Sequence, residues 1–339
     1  MTAHDTPGVD PTMPAGPWLL VVGMHRSGTS AMTGALGSLG LATHHPDDRH
    51  DWPESNPEHW ESASMASIDE ALLSRMGGSW DAPPELPEGW ETGESMAGAP
   101  DPRDAVSVAY PDAGPIAWKD PRVCLVLPYW RRRLPQPLAA VLVWRSPLAV
   151  ARSLQKRDGM HLADGVALWE HYNRSALANL VGIDTFVCSY ESVLDDAEIA
   201  FTAIADWLDG LPQFADQAGT WTPGEAASMI TDGAGPPRPQ SDDGLLLPEH
   251  RALVDHLSGI GGPHAPLEAP PRSTPSPWSV ALLAARRGSR SRQLDKLDTE
   301  RAALVRQLEE RQLALDRLHG STTWRLTQPF RTLSARLRG

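Results

Sequence analysis

Short apolar runs alternate with longer segments of mixed apolar and polar residues through the first two thirds of the chain. Each apolar run has the length of a strand, whereas the segments between the runs have the apolar spacing of helices. The predicted strands are residues 18–23, 115–120, 138–145 and 184–190. The predicted helices are residues 31–40, 61–76, 122–134, 147–157, 163–181 and 197–209. This alternation predicts an α/β fold with a central, mostly parallel sheet.

Segments rich in Pro and Gly separate and flank these elements. Residues 77–114 are predicted to be a loop, and residues 210–277 are Pro- and Gly-rich and are predicted to hold two short helices. Residues 1–16 are predicted to be a disordered leader, without the basic and apolar regions of a signal peptide. Residues 261–277 are predicted to be a Pro-rich linker. We therefore expect one domain over residues 17–260.

The segment from residue 278 to residue 339 has a different pattern. A seam with alternating spacings of three and four runs through it, and six of its eight positions are leucine. The seam consists of Leu294, Leu297, Arg301, Leu304, Leu308, Arg311, Leu315 and Leu318. The spacing predicts a coiled coil that joins copies of the chain over 294–318, with a single helix docked on the body as the alternative. Residues 321–339 mix Trp, Phe and Leu with Arg, which predicts a basic amphipathic tail for an anionic membrane or a partner enzyme.

The net charge of −13 combines two segments of opposite sign. From residue 286 onward the chain has 13 Lys and Arg against 6 Asp and Glu, so the preceding residues have 17 against 37. A body with a net charge of −20 is a poor general binder of nucleic acid, and any anion site on it must be local. Cys124 and Cys188 lie in apolar runs and indicate reduced core thiols, which favours a cytoplasmic protein.

The string GMHRSGTS, residues 23–30, lies between the first predicted strand and the first predicted helix. Gly23 and Gly28 allow the backbone to wrap an anion at a helix N-terminus. The spacing matches a nucleotide triphosphatase loop, but Thr29 stands where that loop has Lys. No carboxylate for magnesium ends the strand 138–145 either, because this strand ends at Trp144 and Arg145. The loop therefore indicates a phosphate site for a nucleotide without a metal.

The same string resembles the 5′-phosphosulfate loop of sulfotransferases that use 3′-phosphoadenosine-5′-phosphosulfate. In that family an Arg at a strand end and a Ser eight positions later bind the 3′-phosphate. Arg145 and Ser153 have this spacing here, and Pro147 between them also fits the family pattern. WKDPRVCLVLPYW, residues 118–130, and NPEHWES, residues 56–62, resemble blocks of bacterial members. The resemblance covers roughly residues 17–210.

The resemblance implies a P-loop-like three-layer fold, with 17–260 as the sulfotransferase domain and the donor as co-substrate, and no metal. It assigns the donor to Gly23, His25, Arg26, Ser27, Gly28, Thr29, Ser30, Arg145 and Ser153. Several cations follow the predicted strand ends, where ligands bind in open α/β sheets. They are Arg26, Lys119, Arg122, Arg145, Arg152, Lys156 and Arg157, the last being expected on a solvated helix face.

Sulfuryl transfer needs cations on the leaving phosphate and a base for the acceptor hydroxyl. Arg26 and Lys119 are the expected cations. Glu61 is the expected base because it matches a Glu of the family block N-P-x-x-x-E, with His59, His25 and Asp120 as alternatives. Asp120 is expected instead to orient Lys119 or Arg122.

The acceptor is expected to be a hydroxyl on a carbohydrate or glycolipid. Trp52, Trp60, Trp80 and Trp90 lie in the region expected to cover it, and indole faces suit sugar rings. Residues 321–331 also resemble tail segments of bacterial glycoconjugate enzymes. The histidines of residues 44–59 fit no standard metal-ligand spacing, so that stretch is expected to be a solvated loop. A nucleotide kinase-like phosphotransferase and a non-catalytic nucleotide-binding scaffold are the alternative functions, and the inner membrane surface is an alternative location.

Overall fold

Five strands form one mixed sheet in the computed structural model, which describes residues 16–49, 60–92, 96–112, 114–232, 246–270 and 274–320. The strands are β1 Trp18–Val22, β2 Ile116–Lys119, β3 Leu138–Trp144, β4 Asp184–Ser189 and β5 Gly262–His264. Their order is β2-β1-β3-β4-β5. The first four run parallel, and β5 pairs antiparallel with β4. The sheet therefore brings the carboxyl ends of four strands to one edge, where the predicted site residues follow them.

Eleven α-helices lie in the same described ranges. They are α1 Thr29–Leu39, α2 Ala63–Arg75, α3 Pro102–Ala109, α4 Val123–Arg131, α5 Pro147–Asp158, α6 Leu162–Asn179, α7 Tyr190–Asp195, α8 Ala197–Asp209, α9 Pro223–Asp232, α10 Pro248–Gly259 and α11 Pro277–Gly320. Proline stands at the start of α3, α5 and α10, where its missing N–H costs no helical hydrogen bond.

Alternate residues of β1 belong to two separate hydrophobic clusters. Trp18, Leu20 and Val22 pack in a cluster that includes apolar residues of α2, α4 and α6. Leu19 and Val21 pack in the other, with residues of α1, α8 and α9. Because both faces of β1 are covered, the strand is a continuous apolar run. A helical layer on each face is compatible with a three-layer α/β fold.

The four strands and six helices expected from the periodicity are confirmed, with ends shifted by a few residues. The α/β class with a mostly parallel sheet is likewise confirmed. Helix α3 lies inside the predicted loop 77–114, and its start is signalled by Asp101, whose side chain accepts from the N–H of Arg103. The alanines and valines of this short helix are too few to mark it by period.

The sheet continues beyond residue 260, where we expect the domain to end. Residues 262–264, inside the predicted linker, form β5 and pair with β4. A Gly-Pro-His strand has no apolar alternation, so only its position against the edge of β4 reveals it.

A buried polar cluster then fixes the start of α11. The Glu170 carboxylate of α6 accepts from the N–H of Ser276 at 3.0 Å and lies 3.2 Å from Nε2 of His250 in α10. The same histidine nitrogen lies 3.1 Å from Oγ of Ser279.

The long helix α11 continues past Ala285, after which the chain forms a second compact unit. Within this unit Leu294, Leu297, Leu304 and Leu308 are exposed, each by about half or more of its surface. The leucine seam lies within one continuous helix, but the coiled coil itself stays a prediction. The basic tail 321–339 lies outside the described residues. Among the helices that are described, none combines the length and the apolar character that crossing a bilayer requires.

Deleting residues 286–339 should lower the oligomeric state of the protein. Exposed leucines on one helix would be covered by the same helix of another copy, and the truncated chain lacks them. Light scattering on the full chain and on residues 1–285 gives the masses directly. The same number of chains per particle in both proteins would contradict the prediction.

Candidate functional site

The loop between β1 and α1 is shaped by two glycines. A Cβ at Gly23 would lie 2.2 Å from the carbonyl oxygen of Val143 in β3, so only glycine fits beside this strand. Gly28 has a φ of 91° and would place a Cβ 2.2 Å from the ring of Tyr190. The first bond of α1 runs from the N–H of Met32 to the carbonyl of Gly28. The loop thus leads into a helix N-terminus, which favours bound negative charge.

The second predicted motif meets this loop directly. Nε of Arg26 donates to Oγ of Ser153 at 2.8 Å, across 127 residues of chain. Nη1 of Arg145 donates to the backbone carbonyl of Arg26 at 3.3 Å. The sheet order explains the meeting, because β1 and β3 are neighbours and both motifs follow their carboxyl ends.

The cations of this loop region are crowded and partly stripped of water. Burial, followed by the charges of Arg157 and Arg145, lowers the pKa of Arg26. Burial also lowers the pKa of Arg145, against the effect of Glu191, whose carboxylate lies 4.0 Å from it. Oγ of Ser27 and Nε of Arg145 are buried without a hydrogen-bond partner among the described residues. Both features favour an anion here, since it would offset the repulsion and accept these hydrogen bonds.

Lys119 and Glu61 form an ion pair at the carboxyl end of β2. Nζ of Lys119 lies 2.5 Å from Oε1 of Glu61 and 3.1 Å from Oγ of Ser30, the second residue of α1. Both side chains of the ion pair are almost fully buried. The contact to Ser30 places the ammonium group next to the loop of residues 23–30, where Lys119 was expected.

Burial alone would raise the pKa of Glu61, but the charges of Lys119 and then Arg122 outweigh it and lower the pKa to about 2. Glu61 is therefore a carboxylate at neutral pH. A carboxylate with so low a pKa is a weak base while the ion pair lasts, because an effective base has a pKa near the working pH.

Arg122 is the centre of a second set of ion pairs beside the first. Its Nη1 lies 3.0 Å from Oδ2 of Asp120 and 3.6 Å from Oε2 of Glu61, and its Nη2 lies 2.7 Å from Oε1 of Glu70. Asp120 thus orients Arg122, as expected. Glu70 was not foreseen, since a glutamate on the open side of α2 has no distinguishing pattern.

His25 lies at the bend of the loop and is buried against aromatic rings. Its imidazole centre is 4.6 Å from the ring of Trp80 and 5.8 Å from that of Tyr172. Burial, followed by the charge of Arg122, lowers the pKa of His25 well below its usual range. Nε2 of His25 lacks a hydrogen-bond partner in the described part of the chain. The ring is therefore neutral and keeps one polar nitrogen available.

The remaining predicted residues differ in their burial and in the groups that they contact. Thr29 is buried with its methyl group near Gly23, so its side chain shapes the loop. Arg157 is not on a solvated face, because its guanidinium lies 5.1 Å over the ring of Trp80. Lys156 is exposed, and Arg152 is half-buried. The alternative base His59 and the tryptophan at position 52 lie outside the described residues.

The tryptophans expected to cover the acceptor do not all lie near the loop of residues 23–30. Trp118, Trp130 and Trp144 are buried in the core. Trp90 is also in the core, whereas Trp80 is half-buried and contacts His25. In the described ranges, no group of three or more His, Cys, Asp or Glu side chains is arranged to hold a metal ion.

Tyr190 is a site residue that sequence reasoning missed. Its ring covers Gly28 and lies 5.5 Å from the Arg145 guanidinium. It follows the carboxyl end of β4, and this position is the signal that would have found it.

Comparison with known proteins adds no relative: the chain matches no protein-family model, no curated protein and no solved structure.

Proposed function

We propose that this protein is a sulfotransferase that moves a sulfuryl group from 3′-phosphoadenosine-5′-phosphosulfate to a hydroxyl acceptor. The observation that carries the proposal is the hydrogen bond from Arg26 to Ser153, which joins two motifs that the sequence places 127 residues apart. Each motif alone is a common turn at the end of a strand. Their meeting brings Arg26, Arg145 and Ser153 together at one edge of the sheet, and the donor has two separate phosphate positions.

The loop and Arg145 divide the donor's charges between them. The 5′-phosphosulfate lies against the loop of residues 23–30 and the N-terminus of α1, which makes this a P-loop-like site. The 3′-phosphate is held by Arg145, whose planar guanidinium can bind two oxygens at once, and by Ser153. Burial lowers the pKa of both arginines, and neighbouring cations lower that of Arg26 further, so a bound anion would stabilise their charges.

The reaction is an in-line displacement at sulfur. The acceptor oxygen forms a bond to sulfur while the bond from sulfur to the 5′-phosphate oxygen breaks, and the electron pair stays on the departing phosphate. Arg26 and Lys119 offset the charge that builds there. The acceptor loses its proton to a base of the protein, and adenosine 3′,5′-bisphosphate leaves.

Glu61 is the proposed base, and the ion pair with Lys119 explains how it would be switched on. When the donor's oxygens attract the ammonium group, Lys119 moves its contact from Glu61 to the sulfuryl group. Burial then acts on Glu61 with less opposition, and its pKa rises toward the range of an effective base. Proton removal would thus follow donor binding.

The acceptor is proposed to be a carbohydrate or glycolipid hydroxyl, and the location the cytoplasm or the inner face of the membrane. Trp80 supports the carbohydrate acceptor, because its indole is half-buried beside His25 and Arg157. The seam 294–318 is proposed to form a coiled coil, and the tail 321–339 to contact a membrane or partner enzyme.

Titration calorimetry on the full chain tests the donor site before any acceptor is known. We expect adenosine 3′,5′-bisphosphate to bind more tightly than ADP and to bind equally well in EDTA. Equal affinities, or a requirement for magnesium, would support the kinase-like alternative instead. A panel of sugars, lipids and phenols with labelled donor then tests transfer, and binding without any transfer would favour the scaffold.

A further inference from the structure

We propose that Asp69 and Asp120 share one proton, and that the protonated Asp69 is a positioning residue for the ion pairs at the reacting centre. Asp69 lies on α2 and Asp120 follows β2, so the shared proton fastens a helix to the sheet edge that carries Lys119. The positioning half of the proposal rests on the proposed sulfuryl transfer. The proton sharing does not.

Among the described residues, Asp120 is the side chain that can share a proton with the second oxygen of Asp69. Asp69 is fully buried, and its Oδ1 accepts from Nε1 of Trp130 at 2.6 Å. Its Oδ2 has no donor among the described residues, while the carboxyl of Asp120 lies within hydrogen-bonding reach. Two neighbouring carboxylates repel each other, whereas an acid and a carboxylate form a strong hydrogen bond.

The hydrogen bonds of Asp120 decide which partner keeps the proton. Asp120 accepts from the backbone N–H of Arg122 at 2.8 Å and from Nη1 of Arg122 at 3.0 Å. Burial raises the pKa of Asp120 as well, but Arg122 contacts both of its oxygens and favours the carboxylate form. Burial, followed by the charge of Asp120, raises the pKa of Asp69 well above its usual range. Asp69 is therefore the acid, and its O–H donates to Asp120.

The neighbouring charged and titratable groups leave this assignment intact. They are Glu61, Glu70, Lys119, Arg122, Tyr129, Tyr172 and Cys124. Burial raises the pKa of both tyrosines and of the cysteine thiol, so these three stay neutral at neutral pH. The two cations pair with carboxylates already named.

The proton matters for the site because Asp120 holds Arg122. Arg122 in turn lies 3.6 Å from Glu61, the partner of Lys119. Ionising Asp69 would add a second negative charge beside Asp120 and pull Arg122 away from Glu61. Asp69 would act on the reaction through these contacts, without touching donor or acceptor.

Folding should take up this proton, which makes stability depend on pH. Above about pH 4 an unfolded chain has both carboxyls ionised, whereas the folded chain keeps one proton. The free energy of unfolding therefore falls as the pH rises from about 4 toward the folded pKa of Asp69. Asp69→Asn has no proton to lose and can still donate to Asp120. Its stability relative to the natural chain should increase with pH.

Infrared spectroscopy and thermal unfolding of the full chain test the proton directly. We expect a protonated carboxyl band at pH 7 in the natural chain and in Asp104→Asn, an exposed control on α3, but not in Asp69→Asn. The melting temperature of Asp69→Asn minus that of the natural chain should increase as the pH rises from 5 to 9. Absence of the band, or a difference in melting temperature that does not change with pH, would overturn the shared proton.

Binding of adenosine 3′,5′-bisphosphate tests the positioning role separately. Asp69→Leu should weaken bisphosphate binding by about tenfold, because Asp120 loses its hydrogen-bond donor. Asp69→Asn should bind the bisphosphate as tightly as the natural chain, because the amide can still donate to Asp120. Asp69→Leu with a natural affinity would overturn the positioning role, even with the band present. If the natural chain shows the band but binds no bisphosphate, the proposed function and the positioning role fail, and the shared proton stands.

Discussion

Glu61→Gln is expected to lower turnover by about 10²–10⁴-fold, the usual cost of losing a general base, while donor affinity changes little. Glutamine keeps the size of the side chain and can still accept from Lys119, but it cannot take a proton. Steady-state rates with labelled donor, combined with titration of adenosine 3′,5′-bisphosphate, separate the two effects. A variant with near-natural turnover would remove Glu61 from the role.

The pH dependence of kcat and of kcat/KM gives a second test of Glu61 as the base. A base must be unprotonated, so activity falls as the pH drops through its pKa. For the free protein this pKa is about 2, because Lys119 and Arg122 outweigh burial. If Lys119 moves to the donor, the acid limb of kcat lies at higher pH than that of kcat/KM.

Two control variants identify the alternatives. Glu70→Gln removes a carboxylate that contacts Arg122 but not Lys119, and its loss of turnover should be much smaller. His59→Ala tests the alternative base in the family block. If that variant loses all activity while Glu61→Gln keeps it, the base is His59.

Arg145→Ala is expected to weaken adenosine 3′,5′-bisphosphate by about 10- to 150-fold, equivalent to about 1.5–3 kcal/mol for a lost charge-assisted hydrogen bond. ADP has no 3′-phosphate and should lose far less. Titration calorimetry with both ligands measures the difference between the two losses, which is the informative quantity. Equal losses would show that Arg145 supports the loop without reading the 3′-phosphate.

Arg145→Lys and Arg133→Ala are the matched controls for this measurement. Lysine keeps the charge but loses the planar fork, so it should recover only part of the affinity. Arg133 lies over the ring of Tyr129, away from the loop, and its loss should affect neither ligand. An equal effect of Arg133→Ala would point to general charge attraction.

The elements that could be predicted are those with a local signal. The strand β3 is a continuous apolar run, and α5 begins at a proline, so both are marked within their own residues. The strand β5 is not marked in this way, because Gly262 and His264 form a strand only by pairing with β4. The strand β5 was therefore missed because it depends on a partner strand.

The candidate site divides along the same line. Gly23, Gly28 and Arg145 follow strand ends in recognisable strings, and the structure brings them together with Ser153. Asp69 and Tyr190 belong to no such string. Asp69 differs from other helical aspartates only through burial beside Asp120, and the sequence does not record that contact. The low pKa of Glu61 could not be predicted from the sequence either, because it depends on two cations that are distant along the chain.

The bond between Arg26 and Ser153 also orders events during synthesis and folding. Closing a segment of 127 residues costs chain entropy that only the packed sheet can offset. The loop after β1 is synthesised early, but Arg145 and Ser153 reach it only after β3 and α5 have packed beside β1. A nascent chain that ends before residue 153 thus has the glycines of the loop without Ser153, the partner of Arg26.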